Sequence, residues 1–384
     1  MNRIYLDHSA TTKTDEIILE EMKPYFLEKY GNPGSLHSAG REAKEGLEKA
    51  RRIIADFING KSSEIIFTSG GTESDNLAIM GVAFANQNKK HIITSKIEHP
   101  AVLETCKYLE KSGWKVTWLN VDKEGLVNPK DVENAITNET VLVTIMHVNN
   151  EIGTIQPIEE IGKICKKKKV YFHTDAVQSY GKIPIDVKKL NVDLLSVSGH
   201  KLYGPKGIGF LYVNKDVNIK EIVHGGGHET GLRSGTENVA GVIGLAKATE
   251  LAKSRMKFEP EKLKKLQSKL INELLKIPNT RLNVSREKRI YTNVNISFEG
   301  VEGEALLLRL DGKGICVSTG SACSSKSLEP SHVLTALGLP PEKAHGSLRI
   351  TMGKDNTEEE IDYVIKTLNE IVGSLRKISP FKSW

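Results

Sequence analysis

Apolar and polar positions follow one another in blocks that predict alternating helices and buried strands from about residue 14 to residue 214. Residues 38–59 carry apolar side chains at helical spacing, and residues 75–85 are predicted to form a further helix. The predicted strands are short and continuously apolar, and they span 64–68, 91–95, 116–119, 141–148, 170–174 and 192–198. Such strands, separated by helices, indicate an α/β fold with a mostly parallel sheet that is covered on both faces.

The C-terminal part of the chain has a different pattern. A long helix is predicted from residue 237 to about residue 276, with an interruption near Pro260. Beyond it the pattern predicts strands at 293–298, 314–318 and 347–351 and helices at 303–310 and 357–375. Because 384 residues exceed the size at which one core keeps growing, we expect two domains. They are a large domain of residues 14–255 and a smaller α+β domain of residues 1–13 and 256–384.

Composition narrows the class of protein. A formal net charge of +6 on 384 residues does not by itself indicate nucleic-acid binding, and we expect none. The lysine run 166–169 is either an RNA or partner patch or, as is more usual, a solvated helix end before a strand. Because we find neither a signal peptide nor an apolar run that could span a bilayer, we expect a cytoplasmic protein without membrane association. The four cysteines form no CxxC pair, so neither a zinc site nor a disulfide framework is predicted.

Polar residues that suit an anion and a ring nitrogen follow two of the predicted strands. Gly70, Gly71 and Thr72 lie between a strand and a helix, where backbone N–H groups and the helix dipole favour one phosphate group. The alternative is that Thr72 and Asp75 form only a capping box. Asp175 follows the strand 170–174 and can keep a ring nitrogen protonated, or it can simply cap a helix. Gln178 lies one turn further on.

A lysine at a third strand end suggests covalent chemistry. Lys201 is predicted to close the strand that begins at Val192, beside Ser198 and His200. A buried lysine amine can form an imine with a carbonyl compound, although a lysine at a rim can also extend to water. His99 and Asn150 follow two other predicted strands; the imidazole can stack on a ring and move protons, or cap a helix. Ligands of open α/β sheets bind at this edge.

Cys323 lies in a segment of small residues, 318–328, within the predicted smaller domain. A cysteine on such a loop is a candidate nucleophile, whereas Cys316, in the preceding apolar strand, is expected to be structural.

Together these residues closely resemble the NifS/IscS type of cysteine desulfurase, which depends on pyridoxal phosphate (PLP) and lies within the class V aminotransferase superfamily. The similarity extends over nearly the whole chain. It is carried by motifs at residues 5–7, 10–12, 31–33, 72–77, 98–99, 149–153, 175–178, 198–201, 224–229, 233–236, 321–323 and 348–349. The lysine, histidine and cysteine motifs are highly specific in combination.

The resemblance implies the type I PLP fold and a homodimer with sites at the subunit interface. Lys201 then carries PLP as an imine, Asp175 pairs with the ring nitrogen, His99 stacks over the ring, and Gln178 approaches the ring hydroxyl. The remaining implied contacts are with the phosphate (Gly71, Thr72, Ser198, His200 and, from the neighbouring subunit, Thr236) and with the substrate carboxylate (Asn150 and Arg349). Asn150 is implied to contact the cofactor as well.

The implied reaction removes sulfur from L-cysteine and leaves L-alanine. Lys201 takes the Cα proton, His99 assists proton transfer, and Cys323 attacks the substrate sulfur and becomes a persulfide. The sulfur then passes to an acceptor, such as an iron–sulfur scaffold protein or a tRNA thiolation system. No resident metal is implied, although Cys323 could lend a ligand to a cluster during transfer. His8 stands where relatives often have Asn or Tyr, and the sequence ends without the longer tail of housekeeping relatives, which leaves the acceptor open.

Three other functions compete with this interpretation. An aminotransferase or a selenocysteine lyase would share the PLP site, and Cys323 with its loop argues against the aminotransferase. A non-catalytic scaffold or sulfur-relay protein could keep the fold, but it would have no need to retain Lys201, Asp175 and His99 together with Cys323.

Overall fold

The structure is a computed structural model that describes residues 3–319 and 330–379. Within those residues the chain forms twelve strands and fourteen α-helices. The strands are β1 (Ile4–Tyr5), β2 (Ile65–Thr68), β3 (His91–Ser95), β4 (Lys115–Leu119), β5 (Thr140–Thr144), β6 (Tyr171–Asp175), β7 (Leu194–Ser198), β8 (Gly209–Val213), β9 (Thr280–Leu282), β10 (Asn293–Phe298), β11 (Ile315–Cys316) and β12 (Ser347–Thr351). The helices are α1 (Glu16–Met22), α2 (Pro24–Leu27), α3 (Ser38–Phe57), α4 (Gly71–Ala85), α5 (Pro100–Lys111), α6 (Pro129–Ala135), α7 (Ile158–Lys168), α8 (Val187–Leu190), α9 (Val239–Arg255), α10 (Glu259–Leu274), α11 (Gly303–Asp311), α12 (His332–Ala336), α13 (Pro341–Ala344) and α14 (Glu358–Ile378).

Seven of the described strands form one sheet in the order β2-β8-β7-β6-β5-β3-β4. Only β8 among them runs antiparallel to its neighbours, so β2, β3, β5, β6 and β7 end at the same edge. The predicted α/β class with a mostly parallel sheet is therefore confirmed. The sequence analysis missed β8, an apolar run that follows the Gly204-Pro205 turn and returns between β2 and β7.

The C-terminal part of the chain builds a smaller antiparallel sheet in the order β12-β10-β9, and β1 pairs in parallel with β11. The strands predicted at 293–298 and 347–351 are confirmed as β10 and β12. The strand predicted at 314–318 is shorter, because β11 covers only Ile315–Cys316 before an isolated bridge joins Ser318 to Arg349. The long helix predicted from 237 is two helices, α9 and α10, which are interrupted just before Pro260 as expected.

Buried apolar side chains form separate clusters in the two parts of the chain. The cluster of the large sheet packs β5, β6 and β7 against α3, α7 and α9. A second cluster joins β10 and β12 to α10, α11 and α14 and includes Leu6 from the N-terminal segment. Each part can therefore bury apolar surface of its own, which is the main favourable contribution to folding.

Three further predicted boundaries, all at the edge of the large sheet, were wrong. Helix α4 begins at Gly71 rather than at residue 75, because Gly70 is its N-cap and the apolar spacing starts only after the first turn. Strand β5 ends at Thr144 rather than at residue 148, and the chain continues irregularly to a bridge between Val148 and Ile155. Lys201 does not close a strand, since β7 ends at Ser198 and residues Gly199–Lys201 form a 3₁₀ turn.

The lysine run 166–169 lies at the end of helix α7 and is exposed, as both of its interpretations require. Lysine side chains in the last turn are favourable there, because the C-terminal end of a helix carries partial negative charge. None of the helices in the described part of the chain is long and apolar enough to cross a bilayer.

Two helical glycines test this packing. A Cβ added at Gly162 in α7 would lie 2.0 Å from the Leu190 carbonyl oxygen, whereas one at Gly373 in α14 would meet nothing within 4 Å. We expect Gly162→Ala to destabilise the protein by about 1–3 kcal/mol through overpacking. The matched variant Gly373→Ala should stabilise it by roughly 0.5–1 kcal/mol, since alanine is the better helix former. Thermal unfolding of both variants checks this, and a tolerated Gly162→Ala would contradict the packing of α7 against the last residue of α8.

Candidate active site

The turn between β2 and α4 forms a cradle at the carboxyl edge of the large sheet. A Cβ at Gly71 would lie 2.8 Å from Val177 and 3.7 Å from the Ser198 side chain, so only glycine fits at this position. Gly70 caps α4 without a side-chain hydrogen bond, which leaves the first turn of the helix available to an anion. The capping box between Thr72 and Asp75 does not form, because Asp75 is buried with its Oδ1 3.6 Å from His173 Nε2.

Lys201 lies beside this cradle, and the N-terminal segment holds its amine. The Nζ atom donates hydrogen bonds to the carbonyl oxygens of Ser9 and Ala10, the latter at 2.7 Å. Thr12 binds the main-chain carbonyl of His200, the residue before Lys201. Its N–H and its hydroxyl both donate to that oxygen, at 2.9 and 2.8 Å. The amine is thus held in place by main-chain oxygens and is half-buried rather than extended into water.

Asp175 ends β6 and is buried at the same edge. Its Oδ1 accepts a hydrogen bond from the Val177 N–H at 2.8 Å, in a turn rather than at a helix N-terminus. Burial raises the pKa of Asp175, while the Val177 N–H and the charge of Lys201 oppose this rise. A cationic ring nitrogen at this carboxyl group would favour its ionised form further. Gln178 donates to the Ser9 carbonyl at 3.0 Å, the same oxygen that Lys201 contacts.

His99 is the N-cap of helix α5, where its Nδ1 accepts a hydrogen bond from the Ala101 N–H at 3.1 Å. The capping alternative is therefore real, but it does not compete with a role in the site because Nε2 is not used by the cap. Burial lowers the pKa of His99 to about 4, and the nearby Lys201 and His332 contribute to the shift. The neutral imidazole is thus close enough to Lys201 to sense its charge.

Arg349 supplies a buried cation from β12 in the second part of the chain. It is 3% exposed, and its Nη2 lies 2.7 Å from Asp7 Oδ1. Its Nη1 donates to the Asn150 carbonyl at 3.1 Å, which brings two predicted substrate-binding residues together. Its Nε is buried without a hydrogen-bond partner. An unpaired buried donor on a guanidinium is suited to a further acceptor such as a carboxylate.

The structure places two of the other predicted residues beside the cradle, one at the surface, and leaves one outside the described residues. Ser198 borders the cradle, and His200 lies behind it with its Nδ1 3.0 Å from Thr11 Oγ1. Burial lowers the pKa of His200 to about 4, with contributions from Lys201, Lys206 and Lys182, so its ring is neutral. Thr236 is exposed at the end of a glycine-rich loop, so nothing in this single chain tests its predicted contact with a neighbouring subunit. Cys323 lies outside the described residues.

The described flank of the Cys323 segment reaches the same region. Ser331 donates a hydrogen bond to Glu151 Oε2 at 2.5 Å, and His332 Nε2 lies 3.0 Å from the Glu98 carbonyl oxygen, directly before His99.

Sequence reasoning missed the part played by residues 7–12. Asp7 pairs with Arg349, the carbonyls of Ser9 and Ala10 bind Lys201, and Thr11 contacts His200. In the sequence this segment is only one of the motifs of the resemblance, and nothing in its local pattern indicates which distant groups it meets. It contacts both parts of the chain, since β1 pairs with β11 while Thr12 binds the turn that contains Lys201.

The mostly parallel seven-stranded sheet, with a glycine-lined turn, a buried acid and a lysine amine at its carboxyl edge, matches the type I fold of PLP-dependent enzymes. The chain belongs to the class-V aminotransferase family, whose model matches residues 4–364.

Curated relatives and solved structures agree with that assignment. The chain is 54% identical over 385 aligned residues to the cysteine desulfurase IscS of Clostridium botulinum, with 99% of this chain and 97% of the relative covered. A solved structure described as a NifS-like protein superposes with a TM-score of 0.92 at 43% identity and covers 97% of this chain and 100% of its own. A structure of SspA in complex with cysteine has a TM-score of 0.81 at 41% identity and covers 91% and 98%.

The lowered pKa of His99 predicts a pH response with a definite sign. Its pKa of about 4 in the folded protein lies below the unfolded value of about 6.5, so the unfolded chain binds the proton first as pH falls. The stability that His99 contributes is fully present above about pH 6.5 and is lost toward pH 4. NMR of the His99 ring, assigned with His99→Gln in protein prepared without PLP, should show no titration between about pH 5.5 and 8. The urea-unfolded chain is the control, and a native midpoint near 6.5 would contradict the assigned burial.

Proposed function

We propose that this protein is a PLP-dependent cysteine desulfurase, which converts L-cysteine to L-alanine and carries the removed sulfur as a persulfide on Cys323. The identity to IscS proteins over nearly the whole chain supports this activity. The observation within the structure that carries the proposal is the convergence of Lys201, Asp175 and the Gly71 cradle at one sheet edge. The similar structure that was solved with cysteine supports the choice of substrate.

The residues present fit PLP in charge and shape. The glycine cradle with Thr72, Ser198 and His200 would hold the phosphate, and a Cβ at Gly71 would occupy part of that cradle. Asp175 would hold a proton on the ring nitrogen, Gln178 would lie near the ring hydroxyl, and His99 would stack over the ring. When bound, PLP supplies an electron sink for the negative charge that develops at the substrate Cα.

The remaining chemistry belongs to the side chains of this protein. Arg349 and Asn150 orient the substrate through its carboxylate, for which the unpaired Nε of Arg349 provides a donor. The substrate carboxylate would share the Arg349 guanidinium with Asp7, because the Asp7 carboxylate already accepts a hydrogen bond from Nη2. The Lys201 amine accepts the Cα proton, and the neutral His99 imidazole can accept or return protons beside it.

Cys323 completes the reaction. Its thiolate forms a bond with the substrate sulfur while the bond between that sulfur and Cβ breaks, and one proton delivered to Cβ and one returned to Cα yield alanine. The sulfur then passes from Cys323 to an acceptor such as an iron–sulfur scaffold protein or a tRNA thiolation system.

We propose further that the enzyme is a cytoplasmic homodimer in which Thr236 reaches the phosphate of the neighbouring subunit. The exposed position of Thr236 supports this arrangement. The separate buried clusters support the division into a large domain, 14–255, and a small domain, 1–13 and 256–384.

The role of Lys201 can be tested by absorbance. Lys201→Ala should lose the visible absorbance of lysine-bound PLP and should not turn over, because an alanine side chain cannot form the imine. Lys206→Ala, five residues further on and exposed, is the matched control and should keep both properties. Sustained desulfuration by Lys201→Ala would reject the assignment.

The role of Cys323 tests the proposed activity itself. Cys323→Ser should bind PLP normally but should form no alanine from cysteine, because a hydroxyl is a poor acceptor for the substrate sulfur. Mass spectrometry of the wild type after incubation with cysteine should find the added sulfur on Cys323. Cys316→Ser is the control and should remain active, since burial raises the pKa of the Cys316 thiol. Sulfur on Cys316, or an active Cys323→Ser variant, would show that the mechanism is wrong.

A further inference from the structure

The glycine-rich loop, residues 223–236, is fixed to the body of its own subunit by a buried ion pair. Arg51 of α3 donates to both carboxylate oxygens of Glu229, with Nη1 to Oε2 at 2.7 Å and Nη2 to Oε1 at 2.8 Å. The two side chains are 11% and 3% exposed. A bidentate pair of this kind fixes orientation as well as distance.

The same two side chains are also bound to strand β2. Arg51 Nη1 donates to the Ile65 carbonyl at 2.7 Å, and its guanidinium lies 4.6 Å from the centre of the Phe67 ring. Glu229 Oε2 accepts the Phe67 N–H at 2.8 Å. These contacts attach the loop to β2, the strand that leads into the cradle at Gly71. Glu229 itself has a left-handed backbone conformation, with φ 48°. A non-glycine residue in that region is strained, so the surrounding contacts must hold it there.

A second ion pair joins the loop to the cradle. Arg233 Nε lies 2.8 Å from Glu73 Oε1, and Glu73 Oε2 accepts the Ser69 N–H at 2.8 Å.

Hydrogen bonds within the loop carry this anchoring to its end. The Gly227 N–H donates to Ser234 Oγ at 3.3 Å, and the Gly235 N–H donates to His228 Nδ1 at 3.2 Å. Gly235 has φ 118°, and Thr236 follows it directly. The position of Thr236 thus depends on the residues next to Glu229.

We propose that Arg51 and Glu229 are positioning residues that act across the dimer, by holding Thr236 of one subunit at the phosphate site of the other. This rests on the proposed dimer and on the proposed contact of Thr236. The pair binds strand β2 and is not among the residues that we propose to hold PLP or substrate, so it would act through the loop. Its loss should therefore weaken PLP binding in the partner subunit more than in its own.

Mixed dimers of two differently tagged chains separate the two sites. One subunit carries Lys201→Ala, so the only lysine-linked PLP belongs to the other subunit, and its Thr236 contact comes from the Lys201→Ala subunit. Glu229→Gln is placed either on the Lys201→Ala subunit (in trans) or on the Lys201 subunit (in cis). The dissociation constant of PLP is read from the absorbance of the lysine-bound cofactor, and dimerisation is followed by sedimentation.

We expect Glu229→Gln in trans to weaken PLP binding roughly tenfold or more, because removing one partner leaves the other charge buried and unpaired. In cis the effect should be smaller than in trans, because the loop of that subunit does not supply Thr236 to the site that is measured. Arg51→Lys keeps the charge but loses the bidentate geometry, so it should show the same asymmetry in a milder form. The double variant with Arg51→Lys and Glu229→Gln should weaken PLP binding no more than the worse single variant, since both changes break one interaction. Arg376→Lys is the matched control, because Arg376 lies in α14 and donates its hydrogen bonds to the main-chain carbonyls of residues 278, 279 and 299, and it should change neither constant.

An effect in cis that equals or exceeds the effect in trans would overturn the inference, as would wild-type binding by the trans Glu229→Gln dimer. Thr236→Ala in trans separates a failure of the positioning role from a failure of the proposed dimeric site. If it weakens binding while Glu229→Gln does not, only the positioning role is wrong. If Thr236→Ala has no effect, or if the wild type sediments as a monomer, the proposed dimeric site is wrong as well, and the inference with it.

Discussion

The site depends on a close approach between backbone segments. This approach occurs where β8 passes between β2 and β7. A Cβ at Gly209 would lie 2.3 Å from the Val197 carbonyl and 2.7 Å from the Gly70 Cα. Because neither glycine carries a side chain, the turn after β2 can settle against Ser198 at the end of β7. That contact brings the cradle next to the turn that presents Lys201. A bulky residue at Gly209 would push apart the anion cradle and the amine, whose separation a single cofactor must match.

Charge in the site is governed by burial. Asp75, Glu98 and Asp175 are buried carboxyl groups that influence one another, and burial raises the pKa of each, to about 8 for Glu98. Lys201 opposes the shift only at Asp175, so a cation at this sheet edge selects Asp175 as the group that ionises most easily. Burial also keeps His99 and His200 neutral. The resulting site contains neutral bases and one favoured anion, which suits proton transfer near a protonated ring.

The N-terminal segment and the glycine-rich loop perform similar tasks in different directions. Residues 7–12 connect Arg349 of the second part of the chain to Lys201 of the first, through the Asp7 carboxylate and two main-chain carbonyls. The loop from 223 to 236 connects the cradle to the surface through Glu73 and Glu229. Both segments contain little helix or strand, and their positions are fixed instead by hydrogen bonds and ion pairs to rigid strands. Groups held in this way can be set within the small tolerances that catalysis requires.

The sequence by itself determined the α/β class, most of the strands, and the residues that follow them, because continuously apolar strands and their polar ends are local patterns. Gly71, Asp175, Ser198 and Lys201 could be assigned to one sheet edge for the same reason. The tertiary structure alone decided where β8 inserts, that Arg349 meets Asp7 and Asn150, and that Ser9 and Ala10 hold the lysine amine. These contacts join residues up to 342 positions apart. They depend on how separately formed elements pack, which the spacing of residues along the chain does not encode.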